Sequence, residues 1–284
     1  MRATFLGTAA SEGYPDAFCT CANCERARAL GGPSLRKRSS LLINDDLLID
    51  LGPDLMAAAQ MHGVTLANLR YCLQTHEHAD HLDPSHFLSR SQFSGVRDAP
   101  HLHFYATQGA IDGVLRSVST HQPVDSLVTS GTSASFNLSI HPIEPFQTFA
   151  VGPYAVQSVR AAHDPAIVAL LYVIERGGRS LFYGTDTGPL PEATWVALHA
   201  GRHRFNAIML DHTFGLGDRA SGHLNREQFL EQIVRMGDEG LIADDARIFA
   251  HHLAHHSNPV HPELVEIAGQ CGYEIPYDGL TVAI

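Results

Sequence analysis

Short apolar runs, separated by turn residues, alternate with amphipathic segments along the chain. Residues 39–52, SSLLINDDLLIDLG, predict an apolar strand, an Asn-Asp-Asp turn and a second strand ending at Asp50. Residues 169–188 repeat this order, with Gly177-Gly178 in the turn and Asp186 after the second strand. Two such similar half-units predict a pair of sheets packed face to face.

Three further segments carry the punctuation of helices. Residues 53–63 open with Pro and close on Gly, residues 225–240 open with Asn, a favoured N-cap, and residues 261–272 form the third. Further strand patterns occupy residues 3–8, 70–75, 101–106, 154–162, 206–211 and 246–251. Strands and helices alternate without a strict βαβ rhythm. This order predicts a four-layer α/β sandwich, αββα, as a single domain over residues 1–284 built of two similar halves.

Composition and charge exclude several classes of protein. The chain has 284 residues, 44% of them hydrophobic, which is enough for a packed core. A formal net charge of -11 argues against a nucleic-acid polymer as partner. The basic run at residues 36–38 is interpreted as a solvated loop. No apolar window approaches the roughly 18 residues of a membrane span, and the first residues lack a secretion pattern, so a cytoplasmic protein without membrane association is predicted.

Histidine and cysteine usage points to metal binding. The 19 histidines exceed ordinary use, which indicates metal ligation or proton transfer. Three of the five cysteines, Cys19, Cys21 and Cys24, lie too close in sequence to pair comfortably with one another as structural disulfides. Their spacing therefore suggests a metal.

Polar residues follow the C-terminal ends of several apolar strands. His76, His163, Asp186 and His252 all occupy such positions, where side chains of different strands can converge on one site. His78 is one residue beyond His76 in an extended loop, so both imidazoles can point the same way. The sequence thus predicts a metal site at the strand ends.

The loop after the strand at residues 70–75 contains H-x-H-x-D-H, formed by His76, His78, Asp80 and His81. This motif resembles the signature of the metallo-β-lactamase superfamily of metal hydrolases. A lone histidine, an aspartate and a C-terminal histidine follow in the superfamily's order, and the resemblance covers essentially the whole chain.

By position, the resemblance implies an active site with two divalent metal ions, zinc or manganese. The ligands of the first ion would be His76, His78 and His163. The ligands of the second would be Asp80, His81 and His252. Asp186 would bridge both ions, and Asp50 would brace the histidine loop without binding metal.

The segment GTAASEGYPDAFCTCANC, residues 7–24, narrows the resemblance to phosphodiesterases of the PhnP type. That family has a second, structural zinc site, which here would use Cys19, Cys21, Cys24 and His255. Two H-x3-H pairs, 251/255 and 252/256, compete with the H-x2-H pair 252/255; the family pattern selects the last. His251 stands where the family has Thr, so the roles of His251 and His256 stay open.

The resemblance also supplies candidate catalytic residues. Asp80 and His223 are assigned catalytic roles, His223 as general acid or phosphate contact, while Asp211 and His212 would orient the ligands. The predicted reaction is attack of a metal-bridging hydroxide on a small cyclic phosphate or nucleotide-like diester. Homodimer formation is expected by analogy only.

Three alternatives remain. A tRNA 3′-processing nuclease shares the histidine motif, but the acidic charge and the lack of a basic arm count against it. A protein like the B protein of pyrroloquinoline quinone biosynthesis shares part of the N-terminal pattern. A non-catalytic metal-binding protein would have no need for the complete set of ligands.

Overall fold

The chain folds into two β-sheets flanked by helices, in a computed structural model that describes residues 1–120 and 125–284. The described strands are β1 (Arg2–Gly7), β2 (Ser40–Ile43), β3 (Leu47–Ile49), β4 (Tyr71–Leu73), β5 (Leu102–Ala106), β6 (Thr132–Ser133), β7 (Leu138–Pro142), β8 (Thr148–Val151), β9 (Tyr154–Arg160), β10 (Leu170–Arg176), β11 (Arg179–Gly184), β12 (Phe205–Asp211), β13 (Ile242–His251) and β14 (Thr281–Ala283). The α-helices are α1 (Ala22–Leu30), α2 (Leu55–His62), α3 (Ser85–Ser89), α4 (Gln108–Ser119), α5 (Asp125–Ser130), α6 (Glu192–Ala200), α7 (Arg226–Asp238) and α8 (His261–Cys271).

The strands form one sheet in the order β14-β1-β2-β3-β4-β5-β7-β6 and a second in the order β13-β12-β11-β10-β9-β8. Apolar side chains from both sheets, such as Phe5, Tyr172 and Phe249, form the core between them. Two outer cores pack helices against the opposite faces, with Phe104 and Val114 in one and Phe182 and Phe229 in the other. The prediction of an αββα sandwich is therefore confirmed.

The two predicted hairpins are the antiparallel pairs β2–β3 and β10–β11. Each hairpin's second strand continues into parallel pairing, β3 with β4 and β11 with β12. The carboxyl ends of β3, β4, β11, β12 and β13 consequently lie along one edge of the sandwich, where the predicted metal-ligating residues also lie.

The predicted helix after residue 225 begins with a reciprocal capping box. The Asn225 side chain accepts a hydrogen bond from the Gln228 backbone N–H, and the Gln228 side chain bonds back to the Asn225 backbone. This arrangement satisfies two of the backbone donors left free at a helix start. Among the described residues, no helix is both long and apolar enough to cross a lipid bilayer.

The interpretation of residues 36–38 as a solvated loop is wrong. Arg36 is only 4% exposed, and its guanidinium donates to the Thr8 hydroxyl and the Pro276 carbonyl. Burial lowers the pKa of Arg36 to about 10. Arg38 pairs with Asp54. These basic side chains are used to fix the N-terminal loops to the sandwich.

Candidate metal centre

Three imidazoles converge at the end of β4. His76 Nε2 and His163 Nε2 lie 3.1 and 3.2 Å from His78 Nδ1. Ligands placed about 2.0–2.1 Å from one tetrahedral ion are themselves roughly 3.3 Å apart, so this spacing fits a single metal ion. The nitrogens on the far side are also engaged, with His76 Nδ1 3.0 Å from Thr75 Oγ1 and His163 Nδ1 3.3 Å from the Gly222 carbonyl.

A second cluster joins two carboxylates and two imidazoles. His81 Nε2 lies 2.5 Å from Asp186 Oδ2 and 3.1 Å from Asp80 Oδ2. His252 Nε2 lies 3.2 Å from Asp186 Oδ1 and 3.7 Å from Asp80 Oδ2. The clusters adjoin, because the ring centroids of His76 and His81 are 4.4 Å apart. Asp186 belongs to the second cluster, while the first contains imidazoles alone.

Asp50 supports the histidine loop from beneath. Its Oδ2 accepts the Nδ1–H of His81 at 2.7 Å, and its Oδ1 accepts the backbone N–H and hydroxyl of Thr75 at 2.8 Å each. Gln74 donates to the same Oδ1. Asp50 is fully buried and holds His81 with Nε2 facing the cluster, which matches the bracing role that the sequence suggested.

A hydroxyl, Thr213, performs the same task for His252. Thr213 Oγ1 accepts from His252 Nδ1 at 2.9 Å and donates to Asp211 Oδ2 at 3.0 Å. Asp211 also accepts from His223 Nδ1 at 2.9 Å and from the backbone N–H of Leu224. One buried carboxylate thus orients a predicted ligand and the predicted acid. The orienting role of Asp211 was expected from the resemblance, whereas no pattern in the sequence pointed to Thr213.

Charge and burial set the protonation of the donors. Burial is the main cause that lowers the pKa of His76 and of His163, which favours the neutral imidazole that a metal requires. Burial opposes ionisation of Asp186, yet His252 and His81 hold its pKa well below the usual range. His81 is different: burial would lower its pKa, but its three carboxylate neighbours raise it.

His223 lies at the mouth of the site. Burial alone would lower its pKa, but the Asp211 carboxylate raises it to about 9. The Nδ1 atom of His223 is 3.6 Å from Asp186 Oδ1, and the imidazole stacks on His252 at a centroid distance of 5.6 Å. The imidazole, whose protonated form Asp211 favours, therefore lies beside both predicted metal positions.

Buried polar atoms without hydrogen-bond partners mark the second cluster. Among the described residues, His81 Nε2, Asp186 Oδ2 and His252 Nε2 are close to one another or to Asp186 Oδ1, yet none of them makes a hydrogen bond of acceptable angle. Such atoms are costly unless another group satisfies them. Asp50, Asp186 and His252 also adopt left-handed backbone angles, with φ of 65°, 55° and 58°, a strain found most often at functional sites. The residues present fit divalent metal ions.

The predicted structural zinc ligands form a separate group. Cys19, Cys21, Cys24 and His255 offer ligand atoms that all lie within 4.8 Å of one another. All three cysteines are free thiols, and Cys21 Sγ lies 3.5 Å from His255 Nδ1. Burial raises the pKa of the Cys21 thiol, but hydrogen bonds from the Cys24 backbone N–H and His255 outweigh this effect and lower the pKa to about 6. The Asn23 side chain fixes the loop by donating to the His255 carbonyl at 2.8 Å.

Three other histidines near these sites point elsewhere. His212 is buried, with Nδ1 3.0 Å from Asn258 Oδ1, and burial lowers its pKa to about 4. His251 faces the core between the sheets, where its ring lies 5.6 Å from that of Phe5. His256 contacts the Ser257 hydroxyl at the surface. None of the three joins a ligand cluster among the described residues.

An αββα sandwich with this histidine- and aspartate-rich edge defines a class, the metallo-β-lactamase fold. The chain belongs to the metallo-β-lactamase superfamily: the sequence model of the β-lactamase superfamily domain matches residues 46–251. Most members of this superfamily are metal-dependent hydrolases. No curated protein sequence matches the chain.

Solved structures share the fold over the whole chain. One is described as a new diphosphatase from the PhnP family, with 20% identity, a TM-score of 0.74 and coverage of 99% of this chain and 97% of that one. Zn²⁺-bound PqqB from Methylobacterium extorquens is 21% identical, with a TM-score of 0.71 and full coverage of both chains. The short form of human tRNase Z is 15% identical, with a TM-score of 0.66 and coverage of 100% and 99%.

Proposed function

We propose that the protein is a dinuclear metal-dependent phosphodiesterase that acts on small cyclic phosphates or nucleotide-like diesters. The observation that carries this proposal is the pair of adjoining ligand clusters, with a histidine on Asp211 beside them. His76, His78 and His163 would hold one ion. Asp80, His81 and His252 would hold the second, and Asp186 would reach both. The group of three cysteines and His255 would hold a structural zinc.

The protein's own residues bind, orient and protonate. When bound, two metal ions polarise phosphoryl oxygens and activate water. Asp50 and Thr213 keep the inner nitrogens of His81 and His252 directed at the site. His223 keeps its Nδ1 on Asp211, so its Nε2–H is the atom that can donate to the leaving oxygen. Asp211 stabilises the protonated imidazole and returns the side chain to the same position after each turnover.

The net charge supports a small substrate. An acidic surface repels the repeated phosphates of a polynucleotide, whereas a single diester meets only the local field of the cationic site. The fold shared with a PhnP-family diphosphatase makes a phosphoanhydride the nearest competing substrate class. The proposal also includes a cytoplasmic location, a homodimer, and no membrane or nucleic-acid partner.

The first test is hydrolysis of bis(p-nitrophenyl) phosphate by the purified protein loaded with Mn²⁺ or Zn²⁺. We expect turnover that Asp80→Ala abolishes, because this carboxylate belongs to the second cluster. Asp112→Ala, an exposed carboxylate on α4, is the matched control and should keep full activity. Absence of turnover in the metal-loaded wild type, or survival of activity in Asp80→Ala, contradicts the proposal.

A substrate panel then separates the alternatives. Cyclic phosphates, a nucleoside diphosphate ester and a tRNA precursor are compared by kcat/KM under the same metal conditions. We expect the cyclic phosphates to have the highest kcat/KM. A higher kcat/KM for the tRNA precursor would identify a processing nuclease. If no substrate is hydrolysed, the cofactor-biosynthesis or non-catalytic alternatives are favoured.

A further inference from the structure

A cavity of about 260 Å³ lies on the outer side of the first sheet, apart from the metal centre. It is enclosed by α2, α3 and the loop at residues 96–100. Most of its wall is apolar and is formed by Leu51, Leu55, Met56, Leu66, Leu69 and Val96. None of the predicted metal ligands lines it. Its volume is slightly below the roughly 300–1,000 Å³ of typical small-molecule pockets, so it suits a small ligand.

Three side chains with polar groups complete the wall, and two of them are already engaged. His86 Nε2 donates to the Gly52 carbonyl at 2.9 Å, and the Ser89 hydroxyl donates to the Ser85 carbonyl at 3.2 Å. The third is Arg90, which is the only lining residue with a charge that is independent of pH in the physiological range.

The guanidinium of Arg90 is held in place but has no counter-charge. Nη1 donates to the carbonyls of Phe136 and Asn137, and Nη2 donates to the Pro100 carbonyl at 2.6 Å. Within the described part of the chain, Nε makes no hydrogen bond and no carboxylate lies within 4.0 Å of the guanidinium. Other arginines of this acidic protein, such as Arg38 and Arg235, do pair with carboxylates.

A cation at the wall of an apolar cavity, with no carboxylate beside it, is an unfavourable arrangement. Burial lowers the pKa of Arg90, which reflects the cost of removing this charge from water. A ligand carboxylate would form charge-assisted hydrogen bonds with the free N–H groups, while an attached alkyl chain would cover the apolar wall.

We propose that this cavity binds a small amphipathic monoanion, a medium-chain carboxylate, with its head group on Arg90 and its chain against Leu55, Leu66 and Leu69. The arrangement combines the two features that such a ligand requires, a non-polar enclosure and one preorganised cation at its edge. The site is separate from the metal centre and does not depend on the proposed reaction.

The test compares two ligands of equal chain length, octanoate and 1-octanol, by titration calorimetry on the metal-loaded protein. Octanoate should bind at least about tenfold more tightly, because only the carboxylate engages the guanidinium. Equal affinities, or no binding of octanoate, would overturn the proposal.

Variants locate the binding site. Arg90→Gln should reduce the affinity for octanoate to that for 1-octanol, whereas Arg116→Gln, an exposed arginine on α4, should leave both unchanged. Because Arg90 also bonds three carbonyls, a second variant is needed that keeps these bonds. Ala99→Leu fills the cavity and should abolish binding of both ligands while thermal unfolding stays cooperative. Octanoate binding that persists unchanged in Ala99→Leu would refute the assignment of the carboxylate to this cavity.

Discussion

Three imidazoles of the predicted metal centre are oriented by a hydrogen bond on the outer nitrogen. Asp50 holds His81, Thr213 holds His252 and Thr75 contacts His76. Such outer bonds fix the tautomer and ring orientation of a ligand before an ion arrives. These three predicted ligands are consequently preorganised by hydroxyl and carboxylate groups that lie behind them, on the side away from the predicted ions.

His223→Gln tests the role of the protonated imidazole. For a diester with an alkoxide leaving group, we expect kcat to fall on the order of 10²–10⁴-fold, because general acid catalysis is lost. For bis(p-nitrophenyl) phosphate the loss should be small, since p-nitrophenolate leaves without a proton. The measurement is kcat for both diesters, with His256→Gln as the matched control. An equal loss on both substrates would show that His223 positions the phosphate and does not donate a proton.

At the residue scale, the sequence predicted the side chains that carry a recognisable spacing. The histidine motif placed His76, His78, Asp80 and His81 in one loop, and the structure brings these residues together. Thr213 was missed because its hydroxyl gains a role only when β12 and β13 are neighbours. The prediction for Arg36 was wrong because a run of basic residues is typical of a solvated loop. Its buried hydrogen-bond partners, such as the Pro276 carbonyl, are distant in sequence and leave no local pattern.

At the scale of elements, the metal centre depends on the loops that follow parallel strands. The loop after β11 contains Asp186 and Gly188, and the loop after β12 contains Ser221, Gly222 and His223. These two loops touch through their backbones, because a Cβ added to Gly188 would lie 1.8 Å from the Ser221 carbonyl oxygen. The position of His223 is therefore set partly by the absence of a side chain in the neighbouring loop.

Gly188→Ala should displace the His223 loop. The clash is with backbone and cannot be relieved by a side-chain rotation, and the adjacent Gly222 carbonyl faces His163. A displacement on the order of 1 Å can cost about 10² in rate, so we expect kcat/KM to fall by one to two orders of magnitude. Gly237→Ala, on α7 with open space around it, is the control and should retain activity. Wild-type kinetics in Gly188→Ala would refute this coupling of loops.

Elements with a long enough local pattern were predictable from sequence, and very short strands were not. The hairpins and α7 follow from short-range periodicity and capping residues, and both occur as predicted. The strands β6, β7 and β8 were not predicted, because segments of two to five residues have too few positions to show a strand period. β6 and β8 each form a hairpin with the next strand along the chain, and β7 also pairs with the more distant β5. Residues 121–124 lie outside the described part of the chain.

For the whole molecule, the cysteine group joins the N-terminal loop to the loop after β13. His255 is three residues beyond His252, so one loop contributes a ligand to each of two predicted metal sites. Backbone bonds such as Ala10 N–H to the Leu253 carbonyl, at 3.2 Å, run alongside. A structural zinc at the cysteines would therefore stabilise the loop that holds His252.

Cys24→Ser should remove one metal ion per chain and lower the thermal midpoint, because a tetrahedral zinc site contributes directly to folding. At low temperature kcat should remain within a few-fold of the wild type, since the cysteine group shares no residue with the predicted catalytic clusters. Metal content by atomic emission and unfolding by calorimetry provide the measurements. Cys271→Ser, at an exposed thiol, is the control. An unchanged metal content would contradict the zinc assignment.

The wide sequence separation of these ligands also governs how the protein matures. Cys19, Cys21 and Cys24 are synthesised early, whereas His252 and His255 come late. At translation rates of roughly 5–20 residues per second, the thiols wait on the order of ten seconds or more for their imidazole partner. A zinc ion held by all four predicted ligands would therefore be completed only after nearly the whole chain is synthesised, and until then the nascent thiols would need reducing conditions to escape oxidation.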